Sequence, residues 1–388
     1  MEKIRTVKAG VLVGKEQMEI RHFPMPTPKK GAAVARIVLA GICGTDKHSY
    51  RGEMRQGGGT AAEMDITLPL IQGHENVMII EDIDSEGRLN LEYGGEVLKP
   101  GDRVTMCPDV ICGHCYYCKN ISSYPWCEKL QFGYGNTRSC NEGEHLYGGF
   151  AEYIYIEPGT RLYKVPDELP NEMAVRTELM CVTYDLDKAR EFYTFEGEGY
   201  GFNNSVVVQG VGPLGLAHII KARMTGAGKI IATDISDYKL SLAKEFGADV
   251  VLNVNSTTEE ERVDIVMQQT KGRGADIVAE CVGYPSVVPE GLRMLRKAGM
   301  YLETGNFVDC GDVKINIHMI CAKNLRIVGM YNHSHVGYGA SMEMMLRNRN
   351  NYPWDKFISH KFKLDDIEKA VITSMSDESM KVVVDPWM

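Results

Sequence analysis

No run of about 18 apolar residues occurs in the chain, so no membrane-crossing helix is expected. The opening residues, MEKIRTVKAG, mix charge with polarity and lack the apolar core of a secretory signal. Basic charge is in deficit: 43 Lys and Arg stand against 52 Asp and Glu, a formal net charge of −9. That balance opposes a polyanionic partner, since nucleic-acid binders present a basic face. A disulfide framework is also missing. Eleven cysteines, an odd number, are spread over 388 residues, unlike the dense, paired cysteines of small secreted folds. There is no internal repeat and no low-complexity tract. The expectation is a cytoplasmic protein with no nucleic-acid and no membrane partner.

What is present suffices for two domains. Up to about residue 165, short β-like runs alternate with Gly and Pro: AAVARIVLAG, ENVMIIEDI, GDRVTM, GFAEYIYI. From about 205 to 330 the runs SVVVQG, KIIATD, DVVLNV, DIVAECVG, MYLETGN and LRIVGMY are separated in several places by helical stretches such as PLGLAHIIKARMTG. Strands alternating with helices indicate a parallel sheet covered on both faces. A helix near 339–349, the helical DDIEKAVITSM and a last strand, MKVVVDP, close the chain. The expected class is α/β.

VVVQGVGPLG runs an apolar strand into Gly210-x-Gly212-x-x-Gly215 ahead of a helix. The first glycine permits the tight turn, the second lets the backbone approach a pyrophosphate, and the third packs the helix against the strand. A second strand, KIIATD, ends in Asp234. A carboxylate there accepts from ribose hydroxyls and repels a 2′-phosphate, which favours NAD over NADP. A methyltransferase with an adenosine cofactor also places an acid after its second strand and remains the rival.

Five cysteines fall between Cys107 and Cys127. Cys112-x-x-Cys115-x-x-Cys118-x8-Cys127 can close a tetrahedron around zinc with no open position, a structural site. The ferredoxin run has a three-residue last gap and a following proline; here the gap is eight and Glu128 follows. Cys107 is the spare, expected as a free thiol.

In chain order, GICGTD, GHE, the four-cysteine lobe, GVGPLG and ECVG resemble the zinc-dependent medium-chain dehydrogenase family of alcohol, polyol, sugar and threonine dehydrogenases. The resemblance spans nearly the whole chain. It implies a GroES-like, mostly β catalytic domain over 1–180 and 336–388, with the zinc lobe at about 107–128. It also implies a Rossmann doubly wound NAD-binding domain over 181–335, with the active-site cleft between the two.

By position, the resemblance makes Cys43 and His74 catalytic zinc ligands. Thr45 touches the substrate oxygen, Asp46 orients the ligand histidine, and His48 ends a proton relay. TELMC falls where the polyol and threonine branches carry Glu-Pro-Leu, which points to Glu178 as third ligand. Cys181 is the rival, and Glu75 is an exchangeable ligand. The expected cofactor contacts are Gly210, Gly212, Pro213, Leu214, Gly215, Asp234, Lys239 and Lys381, the last on the pyrophosphate.

Three stretches depart from the family. The gap from Cys118 to Cys127 is one residue longer than in the family, the loop between Cys43 and His74 is extended and reads as a lid or rim over the cleft, and residues 191–204 are inserted, read as a surface loop. Tyr50, Arg51, Glu53, His333 and His335 are candidate contacts for substrate hydroxyls. The implied activity is NAD-dependent hydride transfer from a secondary alcohol of a polyol, sugar or cyclitol. A simple alcohol or threonine-type dehydrogenase is the alternative. The expected cofactors are one catalytic and one structural zinc with NAD, and the expected assembly is a homodimer or homotetramer.

Overall fold

The structure, a computed structural model, describes residues 5–60, 63–120, 126–191, 199–333 and 335–388. The chain divides into two units. One comprises Met1–Glu178, Ser334–Asn350 and Phe357–Met388; the other Leu179–His333 and Asn351–Lys356.

The apolar run after Ala32 becomes a spine for the first unit. Following a hairpin of β1 (Thr6–Gly14) and β2 (Gln17–Pro24), strand β3 (Ala33–Gly41) pairs antiparallel with β4 (Glu75–Ile83). β5 (Arg103–Cys107) continues the sheet beyond β4, β6 (Tyr153–Ile156) pairs with β3, and β7 (Arg161–Lys164) pairs with β5. The inward faces bring Val34, Ile37, Ile80, Val104, Ile154 and Leu162 into one core with almost no exposure. A helix, α1 (Gly44–Tyr50), follows β3 directly. Another, α2 (Thr177–Val182), begins in this unit and ends in the next.

In the second unit, α3 (Asp185–Glu191) precedes β8 (Ser205–Gln209), which is buried along its whole length. α4 (Pro213–Met224), β9 (Lys229–Asp234), α5 (Asp237–Glu245), β10 (Val250–Asn253), β11 (Ala275–Glu280), β12 (Leu295–Glu303) and β13 (Arg326–Gly329) follow. All neighbours in the sheet are parallel, in the order β10-β9-β8-β11-β12-β13. That is the Rossmann order, with its crevice outside the carboxyl ends of β8 and β11. The α/β expectation and the doubly wound sheet are as the sequence implied.

The chain then returns to the first unit. β14 (Ile358–Lys363), α6 (Ile367–Ser374) and β15 (Lys381–Asp385) complete its sheet, β15 pairing antiparallel with β3.

Of the extended rim, Arg55–Gln56 and Met64–Asp65 pair as a short ribbon, while residues 61–62 lie outside the described residues. Residues 121–125 of the zinc lobe and 192–198 of the insertion also lie outside them. The end of the insertion is not a solvated loop. Tyr200 is buried, and its hydroxyl donates to the Ala222 carbonyl at 3.2 Å at the end of α4. Among the described residues, no helix is long and apolar enough to cross a membrane.

Candidate active site and zinc sites

GICGTD turns the spine strand into a helix, and its residues converge on the GHE loop. The backbone N–H of Cys43 donates to Oδ2 of Asp46 at 2.8 Å, and that of Gly73 donates to Oδ1 at 3.1 Å. The Gln72 side-chain amide donates to the Asp46 carbonyl at 2.9 Å. One buried carboxyl therefore ties the Cys43 turn to the His74 turn. Burial pushes the Asp46 carboxyl up, while His74 and the two N–H donors pull against it. Thr45 follows on the first turn of α1, its hydroxyl 4.0 Å from the Cys43 sulfur.

His74 is only 4% exposed, and among the described residues its Nδ1 has no hydrogen-bond partner. Burial pushes the Cys43 thiol up to about 12. Glu178 is buried too, and desolvation raises its carboxyl to about 8 against the pull of His74. Cys43, Glu75 and Lys381 also act on its charge. A buried thiol and a buried carboxyl both pushed toward their neutral forms, beside an imidazole, are a donor set short of a cation. A Zn²⁺ ion fits them: one thiolate and one carboxylate would balance its charge.

The second metal site is more tightly gathered. The ligating atoms of Cys112, Cys115, Cys118 and Cys127 all lie within 4.8 Å of one another; Cys43, His74 and Glu178 are not drawn that close. Sulfur separations are 3.9 Å for Cys112–Cys118, 3.5 Å for Cys115–Cys118 and 3.6 Å for Cys127–Cys112. A tetrahedron with Zn–S of about 2.3 Å has edges of about 3.8 Å. Backbone N–H groups of Cys118 and Glu128 pull Cys115 down to about 6, whereas burial pushes Cys118 up to about 12. Four thiols this close cannot all ionise without a cation among them. Among the described residues no cysteine is in a disulfide, and Cys107 is buried with its sulfur 4.0 Å from the Asp109 carbonyl.

In the second unit the glycine loop is built as its spacing implies. Gly210 has φ +82°, and a Cβ there would lie 3.1 Å from the Cys281 backbone. A Cβ on Gly215 would collide with the Gly210 carbonyl. Open space surrounds Gly212, the N-cap of α4, where a pyrophosphate can approach. Pro213 and Leu214 form the first turn of that helix and are partly exposed. Asp234 accepts from the N–H of Val211 at 2.6 Å and of Ser236 at 2.9 Å, one on each oxygen. Each oxygen keeps acceptor capacity for a ribose hydroxyl. Lys239 lies on the first turn of α5, its N–H capped by Ser236 at 3.2 Å. In ECVG, Glu280 is buried and folds back onto the N–H groups of Val282 and Gly283 at 2.6 and 2.8 Å.

Several residues are placed otherwise than expected. Lys381 is not available to a pyrophosphate: it is 1% exposed, forms an ion pair with Glu75 and donates to the Ile42 carbonyl at 3.0 Å. Burial opposes its charge, but Glu75 and Cys43 outweigh that and hold its amine above the ordinary value. Glu75 is thus engaged by Lys381 through Oε2. A side chain at Gly41 would strike this pair, which accounts for the first glycine of GICGTD. Tyr50 is buried and donates to Glu368 at 3.2 Å, so it does not reach a substrate. Glu53 bonds Nδ1 of His48. Cys181, the rival to Glu178, is placed as the sequence allows, buried on the same helix α2. His333 is buried beside Asn332, at 2.9 Å. His335 packs edge-on against Tyr93, and burial followed by Arg161 lowers its pKa. Sequence inspection missed the buried ion pair of Asp185 and His218. Its one signal was a histidine inside the apolar run LGLAHII.

Comparison with known proteins agrees with this construction. Residues 29–167 match the alcohol dehydrogenase GroES-like domain, and residues 213–347 match the zinc-binding dehydrogenase domain. The 5-exo-hydroxycamphor dehydrogenase of Pseudomonas putida is 30% identical over 97% of this chain and 98% of its own length. The erythritol/L-threitol dehydrogenase of Mycolicibacterium smegmatis is 30% identical over 98% of each. The crystal structure of an alcohol dehydrogenase from Thermotoga maritima superposes with a TM-score of 0.85 at 30% identity, over 98% of this chain and 99% of that one. The chain belongs to the zinc-dependent medium-chain dehydrogenase family and is an oxidoreductase acting on CH–OH donors.

Proposed function

We propose that the protein oxidises a secondary alcohol of a polyol, sugar or cyclitol with NAD, using one catalytic and one structural zinc. The observation that carries the proposal is the convergence of Cys43, His74 and Glu178, a thiol, an imidazole and a carboxyl with opposing claims on charge. Two of the relatives named above act on a cyclic alcohol and on four-carbon polyols. An L-threonine 3-dehydrogenase of Pyrococcus furiosus, 30% identical over 94% of each chain, supports the alternative of an amino-alcohol substrate.

Cys43, His74 and Glu178 would hold the catalytic zinc, and Cys112, Cys115, Cys118 and Cys127 the structural one. Bound zinc supplies Lewis acidity that lowers an alcohol's pKa, and NAD supplies the hydride acceptor. Asp46 holds the His74 turn against the Cys43 turn. Thr45 takes the proton from the substrate oxygen, and His48, braced by Glu53, passes it to solvent. Glu53 is thereby a support of the relay rather than a substrate contact. Asp234 selects NAD by repelling a 2′-phosphate. The test is a substrate panel of polyols, sugars, cyclitols, simple alcohols and threonine, followed by NADH absorbance. Turnover confined to simple alcohols or threonine would replace the polyol assignment.

A further inference from the structure

Asp185, His218 and Thr304 form a polar cluster inside the second unit, at 0%, 0% and 4% exposure. His218 lies on α4, one turn after Leu214 of the glycine loop. Its Nδ1 is 2.8 Å from the Leu214 carbonyl. Its Nε2 reaches both oxygens of Asp185, at 3.0 and 2.9 Å. A carbonyl and an ionised carboxylate can only accept. Nδ1 therefore carries a proton, and Asp185 beside Nε2 favours the protonated ring, an imidazolium. Asp185 opens α3 and also accepts from the N–H of Leu186 at 2.6 Å and the hydroxyl of Thr304 at 2.8 Å. Thr304 directly follows β12. Cys281 directly follows β11, its sulfur 3.5 Å from Nδ1 of His218. One ion pair thus collects the first turns of α4 and the carboxyl ends of β11 and β12.

Those ends, with the glycine loop, form the wall of the crevice in which a doubly wound sheet takes its dinucleotide. A buried ion pair seldom adds net stability, because an apolar pair of similar volume often matches or exceeds it. Its consequence is then geometric. The cluster leaves no slack between loop and strand ends: a Cβ on Gly210 would already meet the Cys281 backbone at 3.1 Å.

We propose that the Asp185–His218 pair, with Thr304, is a positioning device that locks the first turn of α4 against the ends of β11 and β12 and so sets the affinity for the dinucleotide. Neither member is placed on the cofactor; both act through the loop. The proposal rests on the glycine loop being the nicotinamide-cofactor site. Around the imidazolium stand the Asp185 carboxylate, the Cys281 thiol, the Thr304 hydroxyl and the Leu214 carbonyl, so among the described residues its one charged hydrogen-bond partner is Asp185.

The experiment is NADH titration by nicotinamide fluorescence on zinc-loaded full chain, comparing wild type, the double variant Asp185→Leu/His218→Leu, and Thr304→Val. The double variant is expected to keep the wild-type Tm and zinc content while binding NADH about tenfold more weakly. Thr304→Val, nearly isosteric, is expected to keep its Tm and lose about threefold. A folded double variant with wild-type affinity overturns the proposal. Should the double variant not fold, wild-type affinity in Thr304→Val overturns it. Wild-type protein that binds no NADH removes the cofactor assignment of the loop, and the proposal with it.

Discussion

At the scale of single residues, the account turns on which side chains face the first metal. If Glu178 is the third ligand, Glu178→Ala loses the catalytic zinc, whereas Cys181→Ala acts as a packing change in a buried helix. Cobalt placed selectively in the catalytic site separates the two, because each thiolate adds an intense sulfur-to-metal band. One thiolate is expected, unchanged in Cys181→Ala; two thiolates falling to one in that variant would favour a simple-alcohol site. Asp46→Asn keeps the size but weakens the brace between the two ligand turns, and should lower kcat/KM by about 10- to 100-fold. Lys381→Met leaves Glu75 buried without its ion-pair partner, and should destabilise the fold by about 3–5 kcal/mol in denaturant titration. GICGTD and GHE mark the Cys43 and His74 turns in the sequence, whereas Glu178 rests on the resemblance of TELMC alone. The place of Lys381 was not. MKVVVDP shows only a strand, and the meeting of Lys381 with Glu75 depends on β3 lying between β4 and β15.

At the scale of elements, the glycine loop and its second strand were legible because glycines mark the turns and an acid ends the strand. Asp234→Ser should raise the NADP-to-NAD ratio of kcat/KM by about tenfold or more. It should also weaken NAD, since the carboxylate braces the N–H groups of Val211 and Ser236. The Asp185–His218 pair was not legible: its partners stand 33 positions apart in sequence and no periodicity links them. It has a pH signature. His218 is held well above the ordinary imidazole value of 6.5 despite its burial, because of Asp185 and then Cys281. Its stabilising contribution is therefore fully present below that ordinary value and is lost as pH rises through the raised one. Wild-type Tm should fall across that alkaline window, and the decline should be smaller in the double leucine variant. An equal decline in both would assign it to other groups.

At the scale of the whole molecule, two ligand sets lie in the first unit and the dinucleotide loop in the second. Carefully purified protein should carry two zincs per chain by elemental analysis, one in Cys43→Ser and one in Cys112→Ser. The second variant should also lose thermal stability, because the lobe depends on its metal. A homodimer or homotetramer is expected, and sedimentation of the zinc-loaded chain decides it; strand β13 closes one edge of the parallel sheet with Ile327 46% exposed. The measurement closest to the central claim is the initial rate of NADH formation on a panel of polyols, sugars and cyclitols, for wild type and for His74→Ala with its four-cysteine zinc intact. Turnover of at least one secondary alcohol with NAD preferred over NADP is expected, and its abolition in His74→Ala. Undiminished turnover in that variant, or no turnover by a wild type carrying both zincs, would contradict it.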